Sequence, residues 1–288
     1  MRRYFVTDLD GTLLQSNGLV SEFTAKVVNR ALDEGQVISF ATARSWGSAA
    51  SGTSAIHWKH PVIVYNGVQI IDPLTGVVLA AQLLPEEVCN AVFSQGLAFD
   101  IAPLIFGRDS SGQERIWHEP SLRYGPHQFK SSRLGDSRFM VRSPLRVFPH
   151  EQVMMITYIA EEDLLVELQE RLTKRLRESV HIHWSPDIYL RPYGFLEVTH
   201  PGASKEMALQ TWLRLVHGSA DAVTVFGDNF NDLGMFEVAG HSVSVANGVE
   251  ALKAVASEVI GHHDEDAVAR YLARKLWNGQ EGLGFLRQ

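Results

Sequence analysis

Two carboxylates near the N-terminus, Asp8 and Asp10, lie one residue apart and directly follow an apolar segment. That segment, residues 4–6, contains aromatic and β-branched side chains and is typical of a short buried strand. Neighbouring carboxylates repel each other unless a cation lies between them, and Mg²⁺ prefers such oxygen ligands. Because open α/β sheets hold their sites at the carboxyl ends of strands, the sequence predicts a magnesium site there.

Three other segments place chemically active side chains at the ends of predicted elements. Thr42 follows a predicted strand at residues 36–41, and Asp228 follows another at residues 222–226. A strand–helix–strand order implies a right-handed crossover and a parallel sheet, so Thr42 is expected at the same sheet edge as Asp8. Lys205 lies in the first turn of a predicted helix, where its charge adds to a dipole that favours anions.

The middle of the chain differs from the two ends. Predicted helices and strands continue there, including a long amphipathic helix at residues 162–178, but the pattern of a strand followed by an acid is missing. Residues 119–150 have little periodicity. We therefore predict a core domain formed by residues 1–81 and 191–288, with residues 82–190 inserted as a second α/β domain.

Composition limits the possible functions. The chain has 288 residues, 45% of them hydrophobic, and a net charge of −7, which gives no electrostatic reason to expect binding to nucleic acid or anionic membranes. A single cysteine, Cys89, excludes an internal disulfide framework. The N-terminal residues lack an apolar h-region and no apolar run approaches the length of a membrane helix, so we expect neither a signal peptide nor a membrane span. These features predict a cytoplasmic protein whose partner is a small molecule. They do not specify an oligomeric state.

Two pairs of histidines could bind a transition metal. His181 and His183 alternate along a predicted strand, whereas His262 and His263 are adjacent in sequence. Such pairs are more often structural or surface histidines than metal ligands, and we interpret both pairs in that way.

Taken together, the segments resemble the four motifs of the haloacid dehalogenase (HAD) superfamily, in the same order along the chain. The motifs are DLDGT at residues 8–12, Thr42, Lys205 and GDNFND at residues 227–232. The Asn-Gly pair at 66–67, GASK at 202–205 and DEDAV at 264–268 resemble the Cof-type branch, or subclass IIB. This resemblance implies a doubly wound parallel-sheet (Rossmann-like) α/β core with an inserted α/β cap domain that sets substrate specificity.

The resemblance also implies roles for the residues that match the motifs. Asp8 would be the nucleophile that forms an aspartyl-phosphate, and Asp10 would be the general acid and then the general base. Thr42 and Lys205 would bind the non-bridging oxygens of the phosphoryl group.

The same resemblance implies a metal site and a substrate site. Mg²⁺ would be held or its shell completed by Asp8, the backbone carbonyl of Asp10, Asp228, Asn231 and Asp232. The residues expected to contact the substrate are Arg44, Asn66 and Gly67.

The leading hypothesis is a magnesium-dependent phosphatase that acts on a small phosphorylated metabolite such as a sugar phosphate. A phosphomutase of the same fold would share the aspartyl-phosphate but return the phosphoryl group to the substrate. A regulator that binds a phosphorylated metabolite without turnover is a third hypothesis, against which the complete set of catalytic residues argues. A dehalogenase is disfavoured, because Asp10 and the Gly11-Thr12 pair suit departure of a phosphoryl group within this family.

Overall fold

The computed structural model describes residues 3–186 and 191–277. The chain forms two compact units, one from Met1–Ala81 with Ser204–Gln288 and the other from Gln82–Ala203. The sequence predicted that the chain returns to the first unit at residue 191, but the chain returns at Ser204. The predicted boundary is therefore wrong by about the length of one strand. The strand Tyr193–Thr199 pairs with strands of the second unit on both of its sides, so the chain leaves that unit only after Ala203.

The described residues form short strands and helices in alternation. The strands are β1 (Tyr4–Thr7), β2 (Val37–Phe40), β3 (Val62–Val64), β4 (Gln69–Ile71), β5 (Val78–Ala81), β6 (Leu104–Arg108), β7 (Glu114–His118), β8 (Phe139–Val141), β9 (Gln152–Glu161), β10 (His181–Pro186), β11 (Tyr193–Thr199), β12 (Val223–Gly227), β13 (His241–Ser244) and β14 (Glu258–Val259). The helices are α1 (Glu22–Asp33), α2 (Trp46–Gly52), α3 (Glu86–Leu97), α4 (Tyr124–Ser131), α5 (Glu162–Leu176), α6 (Lys205–Leu215), α7 (Leu233–Val238), α8 (Glu250–Val255) and α9 (Ala267–Trp277).

The first unit is built on a parallel sheet with the strand order β14-β13-β12-β1-β2. One face packs against α6 and α7 through buried side chains such as Leu209, Trp212 and Phe236. On the other face the ring of Phe226 lies 5.2 Å from that of Tyr271 on α9. Helices therefore cover both faces of a parallel sheet, which confirms the predicted doubly wound α/β fold.

The order of the strands places the chemical groups at one edge. β1 lies between β12 and β2. The chain passes from β1 to β2 on one side and later returns to β12 on the other side, which creates a switch point at the carboxyl ends of these strands. The amide of Asp8 donates a hydrogen bond of 2.9 Å to Phe226 on β12. On the other side, the amide of Ala41 donates a hydrogen bond of 2.9 Å to Thr7. Asp8, Thr42 and Asp228 therefore leave three adjacent strands at the same edge.

β3 belongs to a separate small sheet rather than to the parallel core sheet. β3, β4 and β5 are antiparallel, and β3 joins the main sheet only through a parallel bridge between Ala41 and Ile63. The amide of Thr42 continues this contact with a hydrogen bond of 3.0 Å to Ile63. The contact holds the Asn66-Gly67 turn, which follows β3, beside Thr42.

The second unit is a six-stranded sheet with the order β10-β11-β9-β6-β7-β8. All its neighbouring strands are antiparallel except β7 and β8. One face packs on α3 and α5, and Cys89 lies fully buried in that core, where burial raises the pKa of its thiol to about 12. α4 lies on the other face, where the ring of its Phe129 contacts the rings of Phe106 and Phe195. No described helix is both long and apolar enough to cross a membrane.

Candidate active site

Lys205 is the cation at the centre of the site. Ser204 caps α6 by accepting a hydrogen bond from the amide of Met207, so Lys205 is the first residue of the helix. The Lys205 side chain is fully buried, and its Nζ lies 2.6 Å from Asp8 Oδ1 and 2.7 Å from Asp232 Oδ1. A buried ammonium group requires such partners, because desolvation of an unpaired charge is very costly. The structure therefore brings the first and the last predicted motifs into direct contact.

Asp232 is a buried acid whose two oxygens both accept hydrogen bonds. Oδ1 accepts from Lys205, and Oδ2 accepts from the backbone amides of Asp228 and Asn229 at 3.0 and 3.1 Å. These bonds fix the turn that follows β12 and hold Lys205 against Asp8. The sequence placed Asp232 in or around the metal shell, and this geometry favours the orienting role.

Asp228 faces Asp8 from the next strand. Its Oδ1 accepts a hydrogen bond of 2.9 Å from the hydroxyl of Thr12, and its Oδ2 lies against Gly11. Gly11 has a φ of +73°, and a Cβ at that position would lie 2.5 Å from Asp228 Oδ2. A glycine is needed there for both reasons, since it tolerates the left-handed conformation and leaves room for the carboxylate.

The acids of this site form an electrostatically strained group. Asp8, Asp228 and Asp232 each offer a carboxylate oxygen, and these three oxygens all lie within 4.8 Å of one another. Burial raises the pKa of Asp8 well above its ordinary value, and Lys205 offsets only part of this shift. Burial and the charge of Asp232 raise the pKa of Asp228 to about 6. A site built from hard oxygen donors whose negative charges repel suits a small divalent cation such as Mg²⁺.

Lys205 stays positively charged in this environment. Burial by itself lowers the pKa of its ammonium group, but Asp232 and Asp8 raise that pKa above its ordinary value. One cation thus faces three acids, so the group keeps excess negative charge.

Asp10 is paired with Arg44, an interaction that the sequence did not predict. Arg44 donates from Nε and Nη2 to the two carboxylate oxygens of Asp10, at 2.7 and 2.6 Å. This two-point contact fixes the plane of the carboxylate although the Asp10 side chain is 56% exposed. In this structure Arg44 orients Asp10, and the substrate contact expected of Arg44 stays a prediction.

Thr42 and Asn66 lie side by side at the carboxyl end of β2. Thr42 is fully buried, its hydroxyl accepts a bond from the amide of Arg44, and its carbonyl accepts one from the amide of Asn66 at 2.9 Å. The side-chain oxygen of Asn66 accepts a hydrogen bond of 3.0 Å from Asn231. Asn66 and Asn231, predicted for the substrate and the metal respectively, therefore form one linked pair.

Gly67 has a packing role. Its φ is +98°, and a Cβ there would lie 2.2 Å from the carbonyl oxygen of Ser204. The turn after β3 can approach the start of α6 this closely only because residue 67 is a glycine. Gly67 thus helps to position Lys205, and the substrate contact expected of Gly67 stays a prediction.

The site also contains two side-chain contacts that the sequence did not predict. Thr12 holds Asp228, as described above. Asn247 donates a hydrogen bond of 2.7 Å to the carbonyl of Gly11 and accepts one of 3.1 Å from the amide of His263. Asn247 lies three residues after the end of β13, at the same sheet edge as Asp8 and Asp228, and this position was the signal that could have identified it.

The adjacent histidines have local structural partners. The ring of His263 lies 2.7 Å from the carbonyl of Leu14, and Asp264 accepts hydrogen bonds from both the amide and the hydroxyl of Ser16. These contacts tie the loop before α9 to the segment that follows the DLDGT motif. They agree with the structural interpretation of this pair.

Comparison with known proteins adds independent information. The sequence profile of the haloacid dehalogenase-like hydrolase family matches residues 5–272. The HMP-PP phosphatase of Cronobacter sakazakii is 29% identical over 278 residues, which is 96% of each chain. The 5-amino-6-(5-phospho-D-ribitylamino)uracil phosphatase of Bacillus subtilis is 24% identical over 92% of this chain and 94% of its own. A haloacid dehalogenase-like hydrolase from Bacteroides thetaiotaomicron has the same fold, with a TM-score of 0.79 at 24% identity, over 96% of this chain and 100% of that chain.

Proposed function

The chain belongs to the haloacid dehalogenase-like hydrolase family, and we propose that it releases phosphate from a small metabolite by way of a phosphorylated Asp8. As the sequence predicted, it is a Cof-type phosphatase, a phosphoric monoester hydrolase. One observation carries the proposal: the fully buried ammonium group of Lys205 bridges Asp8 and Asp232 at the sheet edge where Asp228 also lies. That arrangement combines a held nucleophile with a fixed positive charge.

The chain's own residues supply the steps of the reaction. A carboxylate oxygen of Asp8 attacks phosphorus, the bond from phosphorus to the leaving oxygen breaks, and the carboxyl group of Asp10 gives that oxygen a proton. Asp10 then takes a proton from water as the water oxygen attacks the phosphorus of the aspartyl-phosphate. The bond from phosphorus to the Asp8 oxygen breaks, which releases inorganic phosphate and regenerates the Asp8 carboxylate. Lys205 neutralises charge on the non-bridging oxygens in both steps, and Thr42 orients these oxygens through its hydroxyl group.

Arg44 acts on this sequence of steps through Asp10. Its two-point contact holds the Asp10 carboxylate in one orientation, from which it can reach the leaving oxygen in the first step and water in the second. We therefore assign Arg44 a positioning role.

A divalent metal ion completes the proposed site. Asp8, the backbone carbonyl of Asp10 and Asp228 would hold Mg²⁺, while Asn231 and Asp232 orient the surrounding groups. Bound there, the ion would supply Lewis-acid stabilisation of phosphoryl charge. The second unit would select the organic part of the substrate.

We place the enzyme in the cytoplasm, where its single cysteine stays reduced.

Phosphate release from a panel of phosphorylated metabolites tests the function. The panel contains sugar phosphates, phosphorylated cofactors and 4-nitrophenyl phosphate. We expect release of inorganic phosphate from several members and a strong preference for a few. Isomerisation of a sugar phosphate without phosphate release would identify a phosphomutase, and binding without either reaction would identify a regulator.

Removal of the metal is expected to abolish activity. Excess chelator should reduce phosphate release to background and added Mg²⁺ should restore it, because the negative charge around Asp8 otherwise opposes an anionic substrate. Ca²⁺ should restore little, since it prefers a larger and looser coordination shell. Full turnover in excess chelator, measured by the same assay, would contradict the metal assignment.

A further inference from the structure

The segment that carries Asp10 is a type II β-turn. Asp10 has φ −70° and ψ 125°, and Gly11 has φ 73° and ψ 0°, which are close to the angles of the two central residues of such a turn. The Asp10 side chain leaves the main chain from this turn, so the place of its carboxyl group depends on how the turn is held. Glycine restrains its own backbone less than any other residue, and contacts from outside must therefore fix the turn.

Asn247 makes such a contact. Its Nδ2 donates a hydrogen bond of 2.7 Å to the carbonyl oxygen of Gly11. The loop that carries Asn247 is itself anchored, because the amide of Val249 donates a hydrogen bond of 2.8 Å to the carbonyl of Asp228. The loop after β13 therefore contacts the turns that follow both β1 and β12.

His263 holds the next part of the same segment. Its ring Nδ1 donates a hydrogen bond of 2.7 Å to the carbonyl of Leu14, and its backbone amide donates one of 3.1 Å to Oδ1 of Asn247. We call Asn247 and His263 the clamp, because they bind each other and two carbonyl groups of one segment, those of Gly11 and Leu14. The His263 side chain is only 11% exposed, so water competes weakly for its bond to Leu14.

The clamp and Arg44 hold Asp10 at opposite ends of its side chain. Arg44 fixes the outer end through its two bonds to the carboxylate, and the clamp fixes the main chain at the inner end. Catalysis is sensitive to such placement, since a displacement of about 1 Å can cost a factor of about 10² in rate. The proton transfers assigned to Asp10 therefore need both ends to be held.

We propose that Asn247 and His263 are positioning residues for the proton transfers of Asp10. They act through the main chain of residues 11–14, which they hold in the place that directs the Asp10 carboxyl group. This proposal rests on the proposed phosphatase function and deepens it, because it extends the machinery of the site to the loops after β13 and before α9.

Two phosphate esters of similar size test the proposal in the presence of Mg²⁺. Benzyl phosphate has a strongly basic alkoxide leaving group that needs a proton from Asp10, whereas the phenolate of 4-nitrophenyl phosphate does not. The quantity measured is the ratio of kcat/KM for benzyl phosphate to kcat/KM for 4-nitrophenyl phosphate. Loss of folded protein lowers both values equally and leaves the ratio unchanged, so the ratio separates positioning from damage to the fold.

Asn247→Asp removes the donor to Gly11 but keeps an oxygen that can accept from the amide of His263. We expect the ratio to fall by about tenfold or more, because complete loss of a general acid costs about 10² to 10⁴ in rate and a displaced acid keeps part of its effect. With 4-nitrophenyl phosphate alone, rapid mixing should show a burst of nitrophenolate and then a steady rate below that of the wild type, since Asp10 is also the base of the second step.

Asn29→Asp is the matched control. Asn29 on α1 makes the same two kinds of bond, since its Nδ2 donates to the carbonyl of Ala55 at 2.9 Å and its Oδ1 accepts from the amide of His57 at 2.8 Å. This variant should keep the ratio within about twofold of the wild type and should show no added burst.

A pair of substitutions tests the second half of the clamp. His263→Leu removes the bond to Leu14 and should lower the ratio by about threefold to tenfold, the size expected for one hydrogen bond. His263→Asn should keep the ratio near that of the wild type, because the amide nitrogen of asparagine takes about the place of Nδ1 and can donate to the same carbonyl. Rescue by asparagine but not by leucine would identify the hydrogen bond as the functional feature.

A ratio that stays within about twofold of the wild type in both Asn247→Asp and His263→Leu would overturn the proposal, as would an equal fall in Asn29→Asp. If Asn247→Asp does not fold, the two His263 variants decide the outcome. If the wild type accepts only 4-nitrophenyl phosphate, the burst decides, and its absence from the clamp variants contradicts the proposal. Failure of the phosphatase function would instead appear as no phosphate release from either ester by the wild type.

Discussion

Asp8→Asn is expected to reduce phosphate release by about 10⁴-fold or more, because it removes the nucleophile and leaves no other carboxylate in its place. The variant should still fold. Asparagine has nearly the shape of aspartate, and its amide oxygen can accept the hydrogen bond that Lys205 now donates to Asp8. Steady-state release of phosphate from 4-nitrophenyl phosphate measures the loss, and near-ultraviolet circular dichroism reports on the fold.

The matched control is Asp163→Asn, the same substitution at an exposed position in the first turn of α5. It should leave the rate within about twofold of the wild type, as is usual for surface substitutions. An Asp8→Asn protein that kept more than a few per cent of wild-type activity would show that Asp8 is not the nucleophile.

Lys205→Met is expected to impair both stability and activity. Methionine can fill the volume of the buried side chain, but it leaves Asp8 and Asp232 together without their shared cation. Removing one partner from a buried ion pair typically costs about 3–5 kcal/mol in the free energy of unfolding. Loss of the positive charge beside the phosphoryl group should lower kcat by a further factor of about 10² to 10³ in the fraction that is folded.

Urea denaturation measures the stability effect. Lys26→Met provides the control, because Lys26 is half-exposed and pairs with Glu22 on the surface of α1. Surface ion pairs contribute only about 0–1 kcal/mol, so this variant should unfold close to the wild-type midpoint. Equal stability of the two variants would mean that the contacts of Lys205 with the acids contribute little to the fold.

The elements that carry the site could be predicted from the sequence because their signals are local. Asp8 and Asp228 each end a short apolar strand, and the rule for parallel sheets brings such ends together without any knowledge of side-chain contacts. Ser204 marks the start of α6 in the same way, which placed Lys205 in the first turn. The parallel core sheet followed from these signals.

Contacts between side chains on different loops could not be predicted in this way. Asp10 and Arg44 are separated by more than thirty residues, and no periodic pattern links them. The packing of Gly67 against Ser204 likewise depends on where two elements meet. The boundary of the second unit was misplaced because an apolar strand does not reveal which sheet it joins, and β11 pairs with β9 and β10.

The central claim is that Asp8 carries the phosphoryl group, and trapping that group on the protein tests it most directly. Asp10→Asn keeps the nucleophile but lacks the base that activates water, which typically slows such a step by about 10² to 10⁴-fold. With 4-nitrophenyl phosphate, whose leaving group needs no proton, the aspartyl-phosphate should form and accumulate. Mass spectrometry of the acid-quenched protein should find one added phosphoryl group on Asp8 in Asp10→Asn and none in Asp8→Asn. A phosphoryl group on any other residue, or none in an Asp10→Asn protein that still releases nitrophenolate, would contradict the claim.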